Sequence, residues 1–327
     1  MHGEVKDTWK DAFFASPGPS SLKNAALLLL KGLCMGSADV IPGVSGGTIA
    51  LITGIYEELI QALKSFDATV VKKILHLDLM GALAGVHVRF LLCLFAGIGI
   101  AIVSFARLMN YLLNHYPTFT WSLFFGLIAA SILVVSKQVA IWTAGAGISL
   151  VCGTVVAVFI VNLIPVSTPD ALWFIFLCGI IAICAMILPG ISGAFILLIL
   201  GKYEFITATL KNPFGPQQLM IIVVFCLGCL IGLLSFARLL NYLLKNFRPL
   251  TLAFLTGLMV GSIKKIWPWK EIIQTKIIGG KPQVVIWGAN IMPEKLNSEV
   301  WAALGLAIIG FIAVLIIERL ASVKESG

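Results

Sequence analysis

Apolar residues along this 327-residue chain fall in long unbroken blocks, not in alternating strands. That pattern predicts membrane-crossing helices and excludes an outer-membrane barrel. Six blocks are long enough for a full crossing: about Phe90–Leu113, Phe119–Ser136, Val139–Leu163, Leu219–Leu244, Leu250–Ile266 and Val300–Leu320. Two further pairs are shorter, Asn24–Gly36 with Thr48–Leu63 and Ala171–Leu188 with Phe195–Leu210. As helices the first pair would measure roughly 20 and 24 Å, short of a hydrocarbon core of about 30 Å. Each pair is interrupted by Pro-Gly-x-Ser-Gly, at 42–46 and 189–193. Proline and glycine at membrane depth break a helix and free backbone N–H groups, so each pair is expected to form a re-entrant hairpin.

The two hairpins belong to an internal repeat. Residues 41–57 align with 188–204 at an offset of 147, with ten identities in seventeen positions. Residues 104–113, Ser-Phe-Ala-Arg-Leu-Met-Asn-Tyr-Leu-Leu, align with 235–244 at an offset of 131, with nine identities in ten. The difference falls in an extra polar stretch from Lys64 to Arg89 in the first half. One hairpin plus three crossings is an odd count, so the second half must enter the membrane upside down. The expected fold is an all-α polytopic membrane protein of two inverted-topology repeats. Its parts are an N-terminal segment over 1–21, a first repeat over 22–166 and a second over 167–322, with an extramembrane loop at about 267–298. Within that loop, Ile277–Trp287 is expected to form a small hairpin at headgroup level.

Composition narrows the class. Charged residues make up 12% and hydrophobic ones 59%, far from the roughly 25% charged share of soluble domains. The net charge of +8 sits mostly between apolar blocks, which favours headgroup anchoring over nucleic acid. With the N-terminus cytoplasmic, twelve lysines and arginines fall inside and eight outside, six of the eight in the 267–298 region and just before it. This weakly favours an N-inside orientation in the cytoplasmic (inner) membrane. The N-terminus is polar and does not resemble a signal peptide, so the first apolar block is expected to direct insertion. Seven cysteines lie inside apolar segments and read as packing residues, and the four histidines lie in or beside polar loops, so no metal and no cofactor is expected.

Candidate chemistry concentrates at the breaks. Each precedes a half-helix whose first N–H groups lack acceptors and whose dipole places partial positive charge there, a prototype anion site. Gly43, Gly46, Gly47, Gly190 and Gly193 allow close backbone approach, and Ser45, Thr48 and Ser192 add hydroxyls. A second constellation is Arg107 with Asn110 and Arg238 with Asn241, each pair on one helix face. An arginine in an apolar span calls for a phosphate or carboxylate partner, with snorkelling to the interface as the competing reading. Glu57 and Glu204 end the half-helices and are candidates to pair with the arginines, to bind a coupling proton or cation, or to sit solvated. Asp39 and Lys31 occur only in the first half, opposite Met186 and Cys178. Asp39 is therefore a candidate proton or cation site as well as a cap for the break.

The run Lys31-Gly-x-x-Met-Gly-x-Ala-Asp-x-Ile-Pro-Gly-Val-Ser-Gly-Gly-Thr-Ile-Ala, followed by Gly54-Ile-Tyr-Glu57, resembles the signature of the PopT-type polyprenyl-phosphate translocases. The second Pro-Gly-Ile-Ser-Gly and both Ser-Phe-Ala-Arg motifs fit as well. The resemblance implies a flippase, not an enzyme, that returns undecaprenyl phosphate across the cytoplasmic membrane for cell-wall synthesis. Its partners would be the polyprenyl phosphate lipid, the phospholipid bilayer and a proton or sodium ion. Two other readings stand beside it. One is an intramembrane undecaprenyl pyrophosphate phosphatase, whose motif would need an arginine where this chain has Gly46 and Gly193. The other is an ion channel, disfavoured by the basic, two-fold related site.

Overall fold

The computed structural model describes residues 8–39, 45–163, 168–211, 214–278, 281–293 and 296–325. It is a multi-pass helical membrane protein. Among the described residues six helices are long and apolar enough to cross a membrane. They are α7 (Val88–His115), α8 (Pro117–Lys137), α9 (Ala144–Val161), α13 (Pro216–Asn246), α14 (Arg248–Ser262, prolonged by a 3-10 turn to Ile266) and α15 (Ser298–Glu325). Their outward faces carry exposed Val103, Phe159 and Ile308, as a hydrocarbon solvent requires.

The first hairpin comprises α2 (Leu22–Asp39), α3 (Gly46–Ile52) and α4 (Tyr56–Lys64); the second comprises α10 (Leu172–Ile187), α11 (Gly193–Ile199) and α12 (Tyr203–Lys211). The stretches expected as single helices over Thr48–Leu63 and Phe195–Leu210 are each broken once more. Gly54 and Gly201 adopt left-handed φ of 72° and 64°, a conformation that costs a side-chain-bearing residue about 1 kcal/mol or more. At the second site the chain turns by 114° between α11 and α12. Gly-x-Tyr-Glu at both aligned positions was the sequence signal for this turn.

Four helix pairs carry the fold, and each runs parallel. Gly32 and Gly36 of α2 face Leu94, Ile98 and Ala101 of α7, while Gly232 of α13 faces Ile180 and Ile183 of α10. Helix α9 follows α14 from Ser149 Oγ, which donates to Leu250 O (2.8 Å), to Asn162 Oδ1, which accepts from Lys264 Nζ (2.7 Å). Helix α8 follows α15, with Gly126 against Ala307 and Lys137 Nζ 4.0 Å from Glu318 at their C-terminal ends. Lipid supplies no hydrophobic drive between helices, so association relies on close backbone contact at small residues. A Cβ on Gly126 would stand 1.8 Å from Ala307 O. Because α2 and α7 run the same way, the segment between them returns the chain to the end where α2 began. The same holds for α10 and α13. Under the internal alignment α2–α7 corresponds to α10–α13, and α9–α14 to α15–α8 with the halves exchanged.

The polar stretch from Lys64 to Arg89 is helical in part, forming α5 (Ala68–Leu75) and α6 (Leu79–Gly85). Asp67 and Asp78 cap them, accepting from Thr69 and Val70 N–H and from Gly81 N–H. With α1 (Trp9–Ala15) they form a collar at the start of α7. There buried Ser16 donates to Val86 O (2.6 Å), and Arg89 Nε donates to Ser16 O (2.8 Å). The third crossing begins at Ala144, not Val139, because Thr143 supplies the cap, accepting from Ala146 N–H (3.2 Å). One departure from an all-α chain is an antiparallel hairpin of β1 (Lys270–Ile278) and β2 (Lys281–Asn290), longer than the stretch expected to form it. The cysteines divide: Cys178 is buried, whereas Cys34, Cys152 and Cys226 are exposed on helix surfaces.

Candidate functional site

The two breaks meet. Helix α10 ends before Pro189, which leaves its last carbonyls without intrahelical donors. Donors arrive from the other half: Ser45 Oγ lies 3.0 Å from Met186 O and 3.1 Å from Leu188 O, and Tyr56 OH donates to Ile187 O (3.3 Å). In return Gly190 N–H donates to Thr48 Oγ1 (3.1 Å). The contact demands glycine on both sides. A Cβ on Gly47 would stand 2.3 Å from Ile187 O, and Gly190 has φ 83° with Leu258 and Met259 backbone 3.0 Å from its Cβ position.

The N-terminus of α3 is already satisfied. Asp39 Oδ1 accepts from Gly46 N–H (2.7 Å), and Ser45 Oγ accepts from Gly47 N–H (3.1 Å). Ser45, Thr48 and Ser192 are buried, as are Gly46, Gly47, Gly190 and Gly193. Gly43 lies outside the described residues. At the other end of α3, Lys31 Nζ donates to Thr53 O (2.6 Å), a cation against the negative end of the half-helix.

The remaining site residues lie elsewhere. Arg107 and Asn110 sit on α7, with side chains outside the described set. Arg238 is exposed on α13, and among the described residues its bonds do not reach the breaks. It donates through Nη2 to Phe66 O (2.7 Å) and through Nη1 to Leu234 O (3.3 Å). Glu57 pairs with Arg248 (2.8 Å), an arginine outside the Ser-Phe-Ala-Arg motifs. Glu204 is exposed in the first turn of α12.

Glu57, Asn241 and Arg248 line a polar cleft of about 700 Å³ between the end of α4 and the junction of α13 with α14. Lys64, Gln61, Ser65 and Asp67 complete one wall and Lys245 the other. The N–H groups of Val70 and Thr69, with the Arg238 guanidinium nearby, hold the Asp67 carboxyl below its ordinary range. Inspection of the sequence missed Lys64, Lys245 and Arg248 as site residues, since each read as an interfacial charge at a helix end. What brings them together is the packing of α4 on α13, which no local pattern encodes.

Equivalent residues of the two halves do not occupy equivalent environments. Tyr56 is 2% exposed and bonded across the halves, whereas its counterpart Tyr203 is 41% exposed. Helix α4 packs against α13, while among the described residues α12 makes no comparable contact with α7. Lys202 is buried at the α11–α12 turn, paired with Asp170 and donating to Thr168 O (2.8 Å). Lys270, over the Trp121 ring at 4.4 Å, is lowered to about 7 by burial and by the neighbouring Lys265 ammonium.

Comparison with known proteins places these features. A family model described as undecaprenyl phosphate translocase-like matches residues 35–281. A polyprenyl-phosphate transporter of Vibrio cholerae serotype O1 is 42% identical over 273 residues, covering 83% of this chain and 87% of that protein. A polyprenyl-phosphate transporter of Staphylococcus aureus is 28% identical over 325 residues, covering 91% of this chain and 97% of that protein. No solved structure gives a significant match.

Proposed function

The chain belongs to the undecaprenyl phosphate translocase-like family, and from that premise we propose that it carries polyprenyl phosphate, undecaprenyl phosphate in particular, across the cytoplasmic membrane. The phosphate crosses the apolar layer at the meeting breaks while the prenyl tail stays in lipid. The two halves act as inverted repeats that exchange access between leaflets. The element-by-element correspondence of the four parallel helix pairs supports this reading.

The observation that carries it is the inequality of matched residues: Tyr56 buried and docked on Ile187 O, Tyr203 exposed. Two homologous hairpins held in different states are what an alternating-access carrier presents in any one conformation. In this conformation Asp39 and Ser45 occupy the N–H groups of Gly46 and Gly47. A phosphate takes these donors only when the first hairpin shifts, and Asp39 is the anion it displaces. Protonation of Asp39, or cation binding there, is then a natural coupling step, with Glu57 and Glu204 as the other candidates. Gly43, Gly190, Ser192 and Gly193 complete the backbone lining. Arg107 and Arg238, with Asn110 and Asn241, receive the phosphate on its way out of the breaks.

The test is a liposome assay that follows loss of labelled undecaprenyl phosphate from the outer leaflet. Wild-type protein should accelerate flipping, and Arg107→Ala/Arg238→Ala should abolish it while eluting as a folded protein. Retained flipping in the double variant removes the arginines from the pathway. Absence of flipping in the wild type, with release of inorganic phosphate from the pyrophosphate lipid, turns the protein into a phosphatase.

A further inference from the structure

The internal repeat supplies a control for the cleft at the end of α4. On the opposite mouth the corresponding positions are occupied differently: Gln61 matches Ala208, Lys245 matches Asn114 and Arg248 matches Pro117, while Asp67 lies in the extra stretch of the first half. Among the lining residues Glu57, Asn241 and Leu244 have identical counterparts in the aligned segments, Glu204, Asn110 and Leu113, and Lys64 at the end of α4 matches Lys211 at the end of α12. The Glu57–Arg248 bond and the 700 Å³ polar cleft belong to the mouth at the C-terminal end of α13. A two-fold related scaffold has therefore been given a basic cleft on one side, with Lys245 and Arg248 as its added charges.

We propose that this cleft binds the phosphate monoester headgroup of the transported lipid at one membrane face. The inference rests on the transporter reading. Lys64, Lys245 and Arg248 surround the cavity with three cations against Glu57 and Asp67. Arg248 is held by Glu57 at 2.8 Å, and this pair is half-exposed, so an entering phosphate can exchange with the carboxylate at little desolvation cost. Asn241, one turn from Arg238, adds an amide donor on the α13 wall. Ile60 and Leu244 close the floor with apolar side chains. A dianionic headgroup with three oxygens fits a fork-shaped guanidinium and two flexible ammoniums better than a bare cation does. Substrate arriving here also takes Arg248 from Glu57, loosening the tie between α4 and α14 across the halves.

The test uses the full-length protein in nanodiscs and calorimetric titration with farnesyl phosphate, inorganic phosphate and sodium chloride as separate probes. Lys64→Gln/Lys245→Gln should weaken farnesyl phosphate binding about tenfold or more, the loss expected when charge-assisted bonds are removed. Glu57→Gln should tighten it several-fold by freeing Arg248. The charge-conserving Lys64→Arg/Lys245→Arg should restore wild-type binding, which separates charge from folding. Wild-type affinity in the glutamine double variant overturns the proposal, as does weaker binding in Glu57→Gln together with sodium binding that depends on Glu57. Equal affinity for inorganic phosphate with the same dependence on Lys64 and Lys245 overturns the lipid as ligand. The liposome assay keeps the two readings apart. Flipping by wild-type protein with binding indifferent to these lysines ends the cleft proposal alone, whereas no flipping ends the transporter reading.

Discussion

At the residue scale, the breaks depend on atoms that are absent. Gly47 is indispensable to the contact with α10, because its missing Cβ leaves room for Ile187 O at 2.3 Å. Gly47→Ala should therefore lower stability by about 1–3 kcal/mol, the usual range for overpacking a fitted core, seen as an earlier midpoint in thermal or denaturant unfolding. Gly147, in the first turn of α9, has nothing within 4 Å of its Cβ position. Gly147→Ala should be neutral, or stabilising by up to about 1 kcal/mol through helix propensity, and so serves as the paired measurement. Asp39 separates two roles by substitution. Asparagine keeps an oxygen to accept from Gly46 N–H (2.7 Å) but carries no charge and takes no proton. Asp39→Asn should unfold like the wild type and lose dependence of flipping on an imposed proton or sodium gradient. Unchanged gradient dependence would leave Asp39 as a cap. Asp39→Ala should also cost about 1 kcal/mol of stability, the typical worth of such a cap.

At the element scale, the parallel helix pairs are fixed by glycine seams, not by interdigitated large side chains. The approach of α8 to α15 at Gly126, with Ala307 O 1.8 Å from the Cβ position, is the tightest of them. A leucine there must push two backbones apart. Gly126→Leu is expected to leave little monodisperse protein on size exclusion, a cost beyond about 3 kcal/mol, because neither helix has a flexible side chain to move aside. The same substitution at Gly305, whose Cβ position is open, should be tolerated. The half-helices obey a different rule. They are seven residues long and cannot persist alone. Their ends are held by Ser45, Thr48, Asp39 and Lys31 in the first hairpin and by Lys202 at the turn of the second.

At the scale of the whole molecule, matched residues of the two repeated segments sit in unlike environments. Spin labels or thiol probes at Tyr56→Cys and Tyr203→Cys, in a background without the seven native cysteines, report on this directly. The label at 203 should react at once with a polar reagent and the label at 56 slowly, matching exposures of 41% and 2%. If access alternates, saturating polyprenyl phosphate should narrow or reverse the difference. Fixed rates with substrate present and transport running would show instead a permanent asymmetry of the scaffold.

Some of this was fixed before any folding. The six crossings, the two interrupted hairpins and the repeat were legible because hydrocarbon allows only helices to span and tolerates broken backbone only in the protein interior. The identities between 41–57 and 188–204 marked the two breaks as matched segments. The turns at Gly54 and Gly201 were legible in principle from the same alignment and went unread, since an isolated glycine in a helical pattern is also tolerated. Tertiary structure alone decided which residues share a site. It gave Glu57 to Arg248 and Arg238 to the Phe66 carbonyl, and placed Lys64 beside Lys245. It also docked one hairpin and left its counterpart unlike it. The physical reason is common to all of these: charge pairing and docking between segments far apart in sequence depend on how helices cross, and a crossing is set by the surfaces of two helices together.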